Sequence, residues 1–249
     1  MSLYRNILDF FFPRTCAMCG KRLGEEEASL CVPCIRGLDR FGYEGNDEHG
    51  TLERLFWGQL PIERVTSFFY YSGKNHRRII HNLKYKQKEE VGEDVGALFA
   101  EELMETGFFD GIDGIVTMPL HHSKLRERGY NQCDSIARGI QKVAGIPIID
   151  GVVERMVNNE TQTHKNIVER KENVKGIFRL KDASLVEGKH ILLVDDVLTT
   201  GSTLISCGSE LAKAPNVRIS ICTLAYAGEL VDSINKKMTP EITSDAISL

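Results

Sequence analysis

The stretch HILLVDDVLTTGSTL, residues 190–204, decides how the rest of the chain is read. Four apolar residues run into Asp195 and Asp196, and after Val197 and Leu198 come Thr199, Thr200, Gly201, Ser202 and Thr203 before a helix-like segment. A helix start presents unpaired N–H groups and a partial positive charge, which suits a phosphate. Gly201 lets the backbone approach an anion with no Cβ in the way. The neighbouring hydroxyls add donors, and Ser202 or Thr203 is expected to cap the helix. Two carboxylates repel a phosphate unless they face something else; sugar hydroxyls or a divalent cation meet that need. The stretch therefore reads as a site for a molecule carrying both a phosphate and a polyol. The plainer alternative is an exposed Asp-Asp turn followed by an ordinary helix cap. The coincidence of strand, acids and cradle in this order favours the ligand. A P-loop is excluded, because the lysine of G-x-x-x-x-G-K-[ST] is missing. So is a receiver domain opening on LLVDD, since too little chain follows to build one.

Working outward, RVTSFFYY (64–71), GIVTMPL (114–120), VVERMV (152–157), HILLVDD (190–196) and VRISICTLAY (217–226) read as strands. KNHRRIIHNLKY (74–85), EEVGEDVGALFAEELMET (89–106) and STLISCGSELAKA (202–214) read as helices, and SKLRERGYNQCDSIARGIQKVA (123–144) contains one that ends before Gly145. Strands alternating with helices imply an α/β fold: a mostly parallel twisted sheet flanked by helices, with right-handed crossovers. Ligands of such sheets sit at the carboxyl ends of the strands. The polar stretch 158–175 has no hydrophobic period and reads as a mobile loop.

The 249 residues suffice for one large domain, or a domain plus a small module. A net charge of -4 gives no global case for nucleic-acid binding, so any such site needs a local basic patch. Two stretches offer one. Residues 74–88, KNHRRIIHNLKYKQK, hold six Lys/Arg and no acid, with Tyr85 interleaved. Residues 118–132 carry His121, His122, Lys124, Arg126 and Arg128 just past a strand, where the crevice is expected. No apolar run is long enough to cross a bilayer, and NILDFFFPR lacks the features of a signal peptide, so a cytoplasmic protein with reduced thiols is expected.

Cys16, Cys19, Cys31 and Cys34 stand as C-x2-C, eleven residues, C-x2-C. Each pair forms a tight knuckle able to reach one metal, so four thiolates around a structural Zn²⁺ are expected, with no open position for catalysis. The expected organisation is a zinc-ribbon module and linker over 1–50 and an α/β domain over 51–249. The apolar ILDFFFP is expected to pack on the zinc module and Trp57 between the two parts. Cys133, Cys207 and Cys222 read as small core residues.

ILLVDDVLTTGST resembles the signature of type I phosphoribosyltransferases. The likeness extends to the ComF (competence protein F, GntX-like) family through Leu83-Lys84-Tyr85, VTMPLHHSKLRERGYNQ (116–132) and TQTHKNIVERKENVKGIF (161–178). Here His122 replaces the family's usual proline, and THK its usual TGL. The resemblance implies a ligand, 5-phosphoribosyl 1-diphosphate (PRPP), with Asp195 and Asp196 on the ribose hydroxyls and Thr199, Thr200, Gly201, Ser202 and Thr203 around the 5′-phosphate. It also implies Lys84, His121, Lys124 and Arg126 toward a diphosphate held with Mg²⁺, and a closing loop bringing His164 and Lys165 to the departing diphosphate. An N-terminal zinc ribbon belongs to the same resemblance. Two functions follow from it: a PRPP-binding protein linked to DNA uptake and natural competence, with single-stranded DNA or DNA-uptake proteins as partners, or an active phosphoribosyltransferase of nucleotide metabolism with an unknown acceptor.

Overall fold

The apolar runs assemble into one four-stranded parallel sheet in a computed structural model that describes residues 13–41, 50–85, 88–157 and 176–228. In chain order, α1 (Val32–Arg36) and α2 (Gly50–Glu53) precede β1 (Val65–Tyr70), α3 (Gly73–Tyr85) and α4 (Glu89–Met104). Next come β2 (Gly114–Thr117), α5 (His122–Arg128), α6 (Gln132–Ala144), β3 (Val153–Arg155) and β4 (Phe178–Leu180). A 3-10 turn at Ala183–Leu185 leads to β5 (His190–Leu198), α7 (Ser202–Leu211) and β6 (Arg218–Tyr226). The strand order is β1-β6-β5-β2 with every pair parallel, and β3 and β4 form a separate antiparallel pair.

β5 is covered on both faces, which is why its sequence is a continuous apolar run. Leu192 and Val194 enter one hydrophobic cluster, Ile191 and Leu193 the other, as the two-residue period of a strand requires. The strand does not stop at the two acids. It runs on to Leu198, because β6 continues beside it, pairing Val197 with Ala225 and Leu198 with Tyr226. The segment expected to hold one helix holds two: Gly129 ends α5 in a left-handed conformation, and the Asn131 side chain restarts the chain by accepting from the Cys133 N–H at 3.1 Å. α6 packs closely on α4, and a Cβ at Gly139 would lie 2.1 Å from the Glu93 carbonyl oxygen.

One core cluster joins Phe68, Phe99, Ile79, Ile80 and Leu83 to Cys16, Ala17, Met18, Leu30 and Cys31, so the cysteine module shares the hydrophobic core of the sheet. Trp57 does not lie between the parts as expected. It is 65% exposed, with the Arg54 guanidinium 5.8 Å from its ring. The module packs on α3, whose apolar side fills that place. Cys133, Cys207 and Cys222 are buried core residues. Most of the ILDFFFP strip lies outside the described residues. Among the described residues no helix is long and apolar enough to cross a membrane.

Candidate functional site

The first cysteine knuckle is closed by backbone bonds: the Gly20 N–H donates to the Cys16 carbonyl at 2.9 Å and the Cys16 N–H to the Lys21 carbonyl at 2.8 Å. The second knuckle opens α1, where the Cys34 N–H donates to the Cys31 carbonyl at 2.9 Å. The four sulfurs of Cys16, Cys19, Cys31 and Cys34 lie within 4.8 Å of one another, with Cys19 and Cys31 at 3.7 Å. Sulfurs placed tetrahedrally at about 2.3 Å from a zinc ion stand roughly 3.8 Å apart, so the donor set fits Zn²⁺. Burial raises the Cys16 thiol, but the N–H groups of Cys19, Cys31 and Met18 outweigh it and bring the thiol down to about 7. Burial, with the neighbouring sulfurs, pushes Cys34 and Cys31 up. Holding all four as thiolates at this spacing requires a cation among them, and closed four-sulfur coordination suits a structural centre.

The second site is a cleft of about 350 Å³ at the carboxyl edge of the sheet. Each parallel strand contributes to it: Tyr71 after β1, Met118 and Leu120 after β2, Asp195, Asp196 and Val197 at the end of β5 with Thr199 just beyond, and Ala227 after β6. Among the described residues, four cationic side chains, Lys84, Lys124, Arg128 and Arg155, line it beside two carboxylates, Asp195 and Asp196. Such a balance suits a polyanion that also offers hydroxyl groups.

Asp196 pairs with the Lys84 ammonium at 2.8 Å and accepts a hydrogen bond from Gln132 Nε2 at 3.0 Å. The Gln132 oxygen accepts from Arg128 at 2.9 Å, which fixes the orientation of the amide, and Arg128 lies 5.5 Å from the Tyr85 ring centre. Asp195 accepts from the Asp196 N–H at 2.8 Å and from the Cys133 thiol at 3.5 Å. Burial, then the Asp196 charge, pushes the Asp195 carboxyl up to about 7, while the Asp196 N–H and Lys84 act against them. Burial pulls Lys84 down, yet Asp196 and Asp195 together hold it above its ordinary value. The cleft thus contains one firm ion pair and one carboxyl poised near neutrality.

At the start of α7, Gly201 is the cap residue, in a left-handed conformation (φ 76), and it supplies no side-chain acceptor. The cap expected from Ser202 or Thr203 does not form, because both fall inside the first helical turn. The Thr200 and Ser202 hydroxyls lie 2.8 Å apart and bond to each other. Of the residues expected here, Lys84, Lys124, Asp195, Asp196, Thr199 and Thr203 line the cleft. His121 does not. It caps α5, its Nδ1 accepting from the Ser123 N–H at 3.3 Å. Arg126 is exposed away from the cleft, because residues two apart on a helix do not share a face, whereas Lys124 and Arg128, four apart, do. His164 and Lys165 lie outside the described residues. Gln132, Tyr71 and Arg155 were not foreseen. Lys124 and Arg128 could have been paired by their spacing, whereas nothing in the sequence announces that the β3–β4 pair brings Arg155 to the cleft.

The fold and this cleft define a type I phosphoribosyltransferase-like protein with an N-terminal zinc ribbon. Residues 127–248 match the phosphoribosyl transferase domain and residues 7–45 the double zinc ribbon domain. The chain is 28% identical over 201 residues to DNA utilization protein YhgH of Salmonella typhi, covering 80% of this chain and 84% of that one. It is 33% identical over 116 residues to competence protein F of Haemophilus influenzae, covering 46% of this chain and 51% of that one. Among solved structures, the glutamine PRPP amidotransferase of B. subtilis matches with a TM-score of 0.34 and 21% identity over 52% of this chain, which spans 25% of that enzyme's length. The chain thus carries a phosphoribosyl transferase domain and a double zinc ribbon domain, and is similar to the DNA utilization and competence proteins.

Proposed function

We propose that the protein binds PRPP with Mg²⁺ in the β5–α7 cleft, and that this binding serves DNA uptake in natural competence. The junction itself carries the reading: two carboxylates and a helix start without a side-chain cap meet beside four cationic side chains. The ribose hydroxyls donate to Asp195 and Asp196, and the 5′-phosphate lies at residues 199–203, where α7 offers N–H groups and the field of its first turn. The diphosphate faces Lys84, Lys124, Arg128 and Arg155, and Mg²⁺ supplies the remaining positive charge. His164 and Lys165, in the segment joining β3 to β4, are the groups suited to a departing diphosphate. Calorimetric titration with PRPP and Mg²⁺ tests this. Asp195→Asn/Asp196→Asn is expected to weaken binding by at least about a hundredfold, given the strength of charge-assisted hydrogen bonds. Unchanged affinity in the double variant rules out the assignment. Diphosphate release in the presence of a candidate acceptor would make the protein a transferase and not only a binder.

The competence side of the reading is supported by what two relatives are called and by α3. Lys74, Arg77, His81 and Tyr85 follow one another at three- and four-residue spacing on an exposed face. Cations interleaved with an exposed aromatic suit single-stranded DNA, whose phosphates and bases they can meet together. Binding of a labelled oligothymidine is expected to weaken steeply with salt and to fall in Lys74→Ala/Arg77→Ala. Absence of binding even at low salt moves the partner from DNA to an uptake protein.

A further inference from the structure

Helix α3 connects the cysteine module to the cleft. Asn82 is buried, and its side-chain amide donates to the Ala17 carbonyl at 2.7 Å, inside the first cysteine knuckle. One turn earlier Arg78 lies over the same knuckle, close enough that a Cβ on Gly20 would meet its guanidinium at 2.9 Å. Ile79, Ile80 and Leu83 share a core with Cys16, Ala17, Met18 and Cys31. Two residues beyond Asn82, Lys84 emerges on another side of the helix and pairs with Asp196 at 2.8 Å. Ala17 stands between two metal ligands, so its carbonyl belongs to the knuckle that the cysteines close, and its own N–H donates to the Ser29 carbonyl at 2.9 Å.

We propose that the zinc ribbon is a supporting wall of the phosphoribosyl cleft: through the Asn82–Ala17 hydrogen bond it sets the rotation of α3, and thereby the point at which Lys84 meets Asp196. Asn82 is a positioning residue that acts through Lys84. The leverage is geometric. A helix places successive residues about 100° apart, so an anchor at Asn82 fixes the direction in which Lys84 leaves the axis. A rotation of about 20° displaces a group some 6 Å from that axis by roughly 2 Å, enough to separate an ion pair in contact. The Tyr130 hydroxyl also donates to the Leu83 carbonyl, so the end of α3 is held from the cleft side as well, independently of the metal. Zinc occupancy and ligand affinity are then linked, each favouring the other.

The experiment uses the full chain in three forms: zinc-loaded, zinc-depleted by a chelator, and zinc-loaded Asn82→Leu, which keeps the volume and removes the donor. The first readout is the rate at which an amine-acylating reagent modifies Lys84 relative to Lys74 on the same helix, followed by mass spectrometry. That ratio is expected to rise about threefold to tenfold on zinc removal and in Asn82→Leu. The second readout is affinity for PRPP with Mg²⁺, which rests on the functional reading above. Asn82→Leu is expected to weaken it by a similar factor, and to have no such effect in a Lys84→Met background. An unchanged acylation ratio in a zinc-loaded Asn82→Leu protein overturns the proposal. So does an equal loss of affinity in both backgrounds, which marks a merely structural role. Should the wild-type protein bind no PRPP, the functional reading fails while the acylation ratio still decides this one. Should the chelator unfold the chain, the Asn82→Leu comparison decides it alone.

Discussion

Asp195 is buried beside Asp196 and Cys133, and burial, followed by the Asp196 charge, pushes its carboxyl up to about 7. In an unfolded chain the same carboxyl titrates near roughly 3.9. Between those values the native state holds a proton that the unfolded state has released, so stability falls as pH rises from about 4 to 7, and the whole penalty remains above 7. Asp195→Asn removes it. The variant is expected to be more stable than the wild type at pH 8 by on the order of 2 kcal/mol, with the difference gone near pH 4. Thermal denaturation at both pH values checks this, and a stabilised protein that has lost PRPP binding is the signature of a residue kept for its ligand. Its identity and its neighbour were plain from the sequence. That Lys84 would hold Asp196, that Gln132 would lock the pair, and that His121 would serve as a cap were not, because each depends on elements brought together from distant parts of the chain.

Elements were placed well where one hydrophobic period dominates. β5, α4 and α7 stand close to where their patterns put them, since burial on both faces of the sheet demands those runs. Boundaries moved where neighbours decide: β5 lengthened because β6 offers a partner as far as Leu198. β4 went unforeseen, since Phe178–Leu180 follows a polar stretch with no hydrophobic period, and its pairing with β3 is what makes it a strand. Gly139 shows how packing overrules helix propensity. Alanine is about 1 kcal/mol the better helix former, yet its Cβ would meet the Glu93 carbonyl oxygen at 2.1 Å. Gly139→Ala is therefore expected to destabilise the protein by about 2 to 3 kcal/mol, read by chemical denaturation. At the opposite end of β5, His190 is buried with its Nε2 2.8 Å from the Ser220 hydroxyl, and burial, then the charges of Arg218 and Arg64, lowers its pKa. The unfolded chain takes up that proton more readily, so this group costs stability as pH falls below about 6.5. Substituting His190 with glutamine is expected to flatten the acid side of the pH–stability profile.

The cysteine module and the sheet share a core cluster, and Asn82 ties the two together. Zinc removal is accordingly expected to lower the melting temperature of the entire chain by on the order of 10 °C in one transition, and not to melt the ribbon alone. Calorimetry of the zinc-loaded and chelated protein distinguishes the two outcomes, and Cys16→Ser is expected to reproduce the effect without a chelator. The same continuity explains why Trp57 is left in solvent: α3 already occupies the contact between the parts.

The sequence by itself determined the α/β class, through strand and helix periods that alternate from residue 64 to residue 226, and the four metal-binding cysteines and the junction of acids, hydroxyls and helix start, because each of these last two is a short local pattern whose chemistry is complete in itself. Only the tertiary structure decided which cations face those acids. Lys84, Arg128 and Arg155 come from three different elements, and whether a side chain points into a cleft depends on helix rotation and strand pairing. Those are set by long-range packing that no local spacing encodes.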